Sequence, residues 1–140
     1  MQAVLLPVGT DVYALPVGWV REVVARPMVA PLATAPPIVL GLFNLRGEIV
    51  PLLDTAALLG TGRIDEPAYA AVLECPQGPA GLAATAFPQR AVLDAPSGPS
   101  ELPGTAGAYR IADRVVVLLD PAVLLAPERQ GTSTVPPGVT

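Results

Sequence analysis

The sequence predicts an all-β fold of two small barrel-like lobes, each of about five short strands with one short helix, sharing a core. Three observations predict it. Eighteen prolines and thirteen glycines among 140 residues cut the chain into short pieces, and a proline inside a helix costs about 3 kcal/mol. An internal repeat supplies the same strand-then-helix unit twice. Two further segments read as β-hairpins.

The first hairpin runs from Val4–Leu6 through a turn at Gly9-Thr10-Asp11 to Val12–Val17. The first repeat copy follows, GEIVPLLDTAALLG from Gly47 to Gly60. Its second copy is DRVVVLLDPAVLLA from Asp113 to Ala126, and seven of the fourteen aligned positions are identical. In each copy a short, β-branched apolar run, Ile49–Leu53 or Val115–Leu119, predicts a buried strand. Asp54 and Asp120 then stand at helix N-cap positions, where a carboxylate accepts from free N–H groups of the first turn. Pro121 fits the first helical position, which needs no N–H. Leu58, Leu59, Leu124 and Leu125 give the two helices an apolar face, with Gly60 and Pro127 as stops. Between the copies, Ala70–Leu73, a turn at Gln77-Gly78-Pro79 and Ala80–Ala86 form the other hairpin. This order predicts one domain over residues 1–127. It splits near Thr61 to Pro67 into a lobe of about 10–66, with part of the termini, and a lobe of about 67–127. The polar tail 128–140 has no apolar period and is expected to be disordered.

Composition narrows the function. With 51% hydrophobic and 14% charged residues the chain is expected to fold, and only 4% aromatic residues leave Ala, Val and Leu to build the core. The formal charge is −4, and the eight basic residues are all Arg, spread thinly. No basic cluster stands ready for a phosphate backbone, so nucleic-acid binding is not expected. The longest uncharged stretch, Pro27 to Leu45, carries four prolines and could not satisfy its backbone inside lipid. The first residues lack the positive region of a signal peptide, and the lone Cys75 suits a reducing compartment. A cytoplasmic protein without membrane insertion is expected.

The residues needed for common active sites are missing. Without His or Lys, the Ser-His-Asp and Cys-His arrangements, Schiff-base chemistry and the P-loop lysine are all excluded. Gly60-Thr61-Gly62-Arg63 follows a helix rather than a strand, so it reads as a turn and not as a phosphate loop. Asp54 and Asp120 could form a carboxylate pair, but their equivalent places in the two copies favour helix capping. Cys75 reads as a buried structural thiol. No cofactor or metal is implied, and no enzyme is expected. Two charges stand out in apolar surroundings: Glu22 within VGWVREVV, and Arg46 just before the first repeat strand. Either they pair, because unpaired burial of charge is costly, or each is solvated separately.

The segment Asn44-Leu45-Arg46-Gly47-Glu48-Ile49-Val50-Pro51-Leu52-Leu53-Asp54 resembles the most recognisable stretch of the CheW family of chemotaxis coupling proteins. That stretch reads N-L-R-G, a variable residue, a hydrophobic pair, Pro, two hydrophobics and Asp. Tyr13–Val17 with Val20-Arg21-Glu22-Val23 resembles the family's upstream hairpin, and Ala80–Leu82 and Asp113–Asp120 its later strands. The resemblance covers about residues 3–126. It implies two SH3-like five-stranded barrels and an adaptor that joins the cytoplasmic tip of chemoreceptors to the histidine kinase CheA. It also implies that the receptor docks between the lobes near Val17, Val20, Glu22, Asn44 and Arg46, that Glu22 and Arg46 pair, and that Gly47 and Pro51 are structural. The kinase contact is implied at exposed apolar residues on the end of the second lobe, which the resemblance does not map because residues 84–99 align poorly. The chain departs from the family in its absent polar N-terminal extension, its lack of Lys and its proline-rich loop from Pro27 to Pro37. A regulatory module that binds a small ligand is the alternative of a different class.

Overall fold

A computed structural model describes residues 1–126; the tail and the expected helix stop at Pro127 lie outside them. The described chain is almost entirely β. Strands β1 (Gln2–Val8) and β2 (Asp11–Pro16) form the first hairpin. A single 3-10 turn (Val17–Trp19) leads to β3 (Val20–Ala25), β4 (Val39–Leu45) and β5 (Glu48–Leu53). Helix α1 (Thr55–Leu59) precedes the hairpin β6 (Tyr69–Cys75) and β7 (Gly78–Ala84). The chain ends through β8 (Gln89–Val92), β9 (Pro96–Gly98), β10 (Thr105–Ile111), β11 (Arg114–Leu119) and α2 (Pro121–Leu124).

Two curled sheets result, with strand orders β8-β1-β2-β11-β10-β9 and β3-β6-β7-β5-β4. Neither is closed by a continuous hydrogen-bonded ladder, and one has six strands rather than five. The lobes do not divide near Thr61 to Pro67. Each hairpin that precedes a repeat copy in sequence pairs with the other copy: β7 lies parallel to β5 (Leu52 beside Gly81), and β2 lies parallel to β11 (Val117 beside Tyr13). The central lobe is therefore built from β3–β7, and the terminal lobe from β1–β2 with β8–β11. The physical reason lies in α1, which reverses the chain so that β6 and β7 return beside the strand just laid down. The first hairpin must then wait for β11.

The apolar faces converge as the sequence predicts. Leu58, Leu59, Leu124 and Leu125 are all buried, and they join Leu6, Leu15, Val50, Leu52, Leu73, Leu82 and Leu119 in one core that both lobes share. Each such leucine contributes about 1.5–3 kcal/mol of burial, so the Ala/Val/Leu composition suffices with few aromatics. A smaller cluster of Ala3, Ala14, Leu93, Val116 and Leu118 fills the terminal lobe.

The repeat extends to the devices that curl the sheets. In the central lobe, Ala30 in the loop after β3 pairs with Leu42 of β4 through two backbone bonds of 2.8 and 2.9 Å. This approach needs Gly41, at φ +153°, because a Cβ there would lie 2.4 Å from the Ala30 carbonyl oxygen. The register of β4 slips by one residue at this point. In the terminal lobe Gly107 takes the equivalent place, with φ +111°, a register slip in β10 and Gly98 of β9 alongside.

Candidate partner-binding site

The Asn44–Gly47 segment is a tight turn before it is anything else. Arg46 and Gly47 both have positive φ, +50° and +88°, and join β4 to β5 as a two-residue hairpin loop. The Asn44 side-chain oxygen accepts from the Gly47 N–H at 2.8 Å, which pins the turn. Gly47 is present because the second position needs φ > 0. Arg46 is held in a left-handed conformation that side chains disfavour, so its guanidinium is aimed by the turn.

It is aimed at Glu22. The Arg46 Nη2 donates to Glu22 Oε2, so the charges that stand apart in sequence do pair. Arg21, which the sequence reading passed over, is the hub. Its Nε lies 3.5 Å from Glu22, and its Nη1 lies 2.9 Å from Glu48 and 3.5 Å from Glu74. Neighbours in a strand normally face opposite ways. Here a register slip between Val20 and Glu22 brings both side chains to one side. No local pattern announces such a bulge.

The cluster also has a structural task. Strand β3 and the β4–β5 turn lie toward opposite edges of the five-stranded order, and these ion pairs bridge them where the sheet curls round. The Arg46 hydrogen bond, with the charges of Arg46 and Arg21, holds the Glu22 carboxyl below its ordinary value near 4.5. Glu22 therefore favours its charged form when folded, and its contribution is present above that ordinary value and lost as pH falls through the depressed one. Arg46→Glu is expected to lower the melting temperature and remove this acid-side dependence. In a double-mutant cycle Glu22→Gln and Arg46→Gln should be less than additive; additive losses would show that the contact is inert.

Two shallow apolar grooves meet beside the cluster. One, of about 200 Å³, is lined by Trp19, Cys75, Pro76, Gln77, Pro121, Ala122, Leu125 and Ala126, and lies between the β6–β7 turn and α2, hence between the lobes. The other, of about 220 Å³, is lined by Ile49, Pro51 and residues Cys75 and 77–80. Cys75 and Gln77 line both, so the two adjoin at the β6–β7 turn and make a two-part trough. Cys75 is only partly buried, a correction to its reading as an enclosed thiol. Burial, then the Glu74 charge, push its pKa up, which disfavours the reactive thiolate.

Pro51 sits on a central strand, where proline is uncommon. It is tolerated because the β5–β7 ladder begins only at Leu52, and this leaves Ile49, 57% exposed, free in the second groove. Val17 lies in the 3-10 link and Val20 packs toward the core. Trp19 between them is the link residue that reaches the groove. As the only tryptophan in an aliphatic chain it was the one available signal.

The two repeat aspartates differ. Asp54 is fully buried, and its carboxylate accepts from Ala57 N–H at 3.0 Å and Ile64 N–H at 2.9 Å, so it caps α1 and ties down the following loop. Asp120 holds the N-cap position of α2, but its side chain makes no capping bond, contrary to the symmetry expected from sequence. Pro121 takes the first helical position, whose N–H a cap does not serve, so the proline does not account for the missing bond.

The family model of the CheW-like domain matches residues 2–129. The chain belongs to the CheW-like domain family. Over 53 residues, 38% of its length, it is 38% identical to the chemotaxis protein CheW of Treponema pallidum (strain Nichols), and that stretch is only 31% of the Treponema protein. The fold is similar to the scaffolding protein TtCheW from Thermoanaerobacter tengcongensis, with a TM-score of 0.73, 21% identity and coverage of 84% of this chain and 82% of that one. Among the described residues of this CheW-like domain, no helix is long and apolar enough to cross a membrane.

Proposed function

We propose that this CheW-like domain is a non-catalytic cytoplasmic adaptor of chemotaxis signalling that couples the cytoplasmic tip of chemoreceptors to the histidine kinase CheA. The carrying observation is the two-part apolar trough between and beside the lobes, with the Arg46–Glu22 pair at its lobe's end. The names of the similar proteins, a chemotaxis protein and a scaffolding protein, support the same reading. The receptor tip docks along this trough, near Asn44, Arg46, Glu22 and the Val17–Val20 link. A small-ligand module is disfavoured by shape, since both grooves are shallow and open rather than enclosed.

The kinase would use a different face. In the terminal lobe, Leu5, Pro7, Val12, Phe87, Gln89, Ile111, Arg114 and Val116 line a groove of about 150 Å³. Arg114 is the repeat equivalent of Glu48, and among the described residues its guanidinium donates only to the Thr10 carbonyl, at 3.1 Å. Where the central lobe is capped by an ion cluster, this lobe presents apolar surface, with Phe87 58% exposed. In a co-purification with a chemoreceptor cytoplasmic hairpin and CheA, the folded chain is expected to retain both. Phe87→Glu should lose CheA and keep the hairpin. A folded chain that captures neither at micromolar concentration would refute the adaptor.

A further inference from the structure

We infer that the segment docked in the trough carries a basic side chain that pairs with Glu74, supplying a third cation to a cluster that holds two. The inference rests on the adaptor reading above and specifies the chemistry of its partner. The trough supplies the first half of the site: Pro51, Pro76, Pro79 and Pro121 stand along its walls and offer apolar surface without backbone N–H groups.

Charge supplies the second half. The cluster contains three carboxylates, Glu22, Glu48 and Glu74, against two guanidinium groups, Arg21 and Arg46. Arg21 Nη1 is shared, 2.9 Å from Glu48 but 3.5 Å from Glu74, so Glu74 has the weaker hold. Its side chain is also the most exposed of the three, at 60%. No other arginine among the described residues forms an ion pair with it. Glu74 stands directly across from Pro79 on β7, so the two share one face of the sheet, and Pro79 lines the trough. Cross-strand neighbours on one face lie about 4.5–5.5 Å apart at Cβ. The surplus negative charge is therefore at the edge of the apolar surface, where a rim ion pair steers and selects partners.

The test uses the full chain, with the fluorescence of Trp19, the one tryptophan, as the reporter of occupancy. The probe is a chemoreceptor cytoplasmic hairpin from the same genome, with variants that reverse each basic residue near its tip to Glu. Glu74→Gln should bind about fivefold more weakly and with a flatter salt dependence. Glu74→Arg should bind more weakly still, and one reversed hairpin should restore its affinity. Ile49→Asp, placed in the apolar wall, is the control for the trough. Loss of binding in Ile49→Asp with unchanged affinity and salt dependence in Glu74→Gln would overturn the third-cation inference and leave the trough standing. Unchanged binding in both variants would remove the trough reading and the inference together.

Discussion

Gly41→Ala is expected to destabilise the protein by at least about 3 kcal/mol, read as a fall in the urea midpoint, because two penalties add. The first is conformational: φ +153° lies in a region that L side chains rarely adopt. The second is steric. The new Cβ would stand 2.4 Å from the Ala30 carbonyl oxygen and 2.6 Å from Val29 Cγ1. The backbone bridge to Leu42 cannot survive that overlap, and the bridge joins the loop after β3 to the far edge of the sheet. Gly107→Ala is the internal control. Its φ is also positive, but the nearest atom to its Cβ, the Gly98 carbonyl oxygen, lies at 3.6 Å. Only the conformational penalty applies there, about 1–2 kcal/mol. Equal losses at the two glycines would show that the close approach at Ala30 is not what matters.

Asp54→Ala should cost about 3 kcal/mol, since it strands the buried Ile64 N–H and the half-buried Ala57 N–H in one step. The Ala57 N–H loses its cap and the Ile64 N–H its anchor, around a carboxylate that is itself fully buried. Asp54→Asn should recover part of the loss, because its amide keeps one acceptor oxygen and turns a donor toward the other N–H. Asp120→Ala, by contrast, should stay within about 0.5 kcal/mol, because its side chain caps nothing. Urea melts of the three variants check the prediction. A loss at Asp120 as large as that at Asp54 would show that the two caps are equivalent after all.

Much of the fold was legible because it is encoded locally. Both hairpins, the strands of the two repeat copies, the start and stop of α1 at Asp54 and Gly60 and the buried leucine faces all follow from periodicity and turn chemistry. Which hairpin pairs with which copy was not legible. The strand β7 carries apolar residues able to pair with either β5 or β11, and the choice is made by how α1 reverses the chain. The same limit applies at the site. Glu22 and Arg46 stood out as isolated charges in apolar runs, but that contrast left open whether they pair; the family resemblance implied the pair that the structure shows. Arg21 did not stand out, because its place at the centre of the cluster depends on a bulge with no sequence signature. Asp120 misled because the repeat preserved the residue and its N-cap position but not the side-chain bond.

The order of the strands along the chain bears on how the molecule is made. Pairing of Tyr13 with Val117 closes a span of about a hundred residues, and contacts so distant in sequence form slowly. The hairpin β1–β2 leaves the ribosome before the other strands of the domain, yet its permanent neighbours β8 and β11 are synthesised after the whole central lobe. Meanwhile β3 to β7 have every partner they need once residue 84 has emerged. The central lobe is thus positioned to fold during synthesis and act as a template, while the early hairpin keeps an unpaired edge that chaperones or a wrong neighbour could meet first.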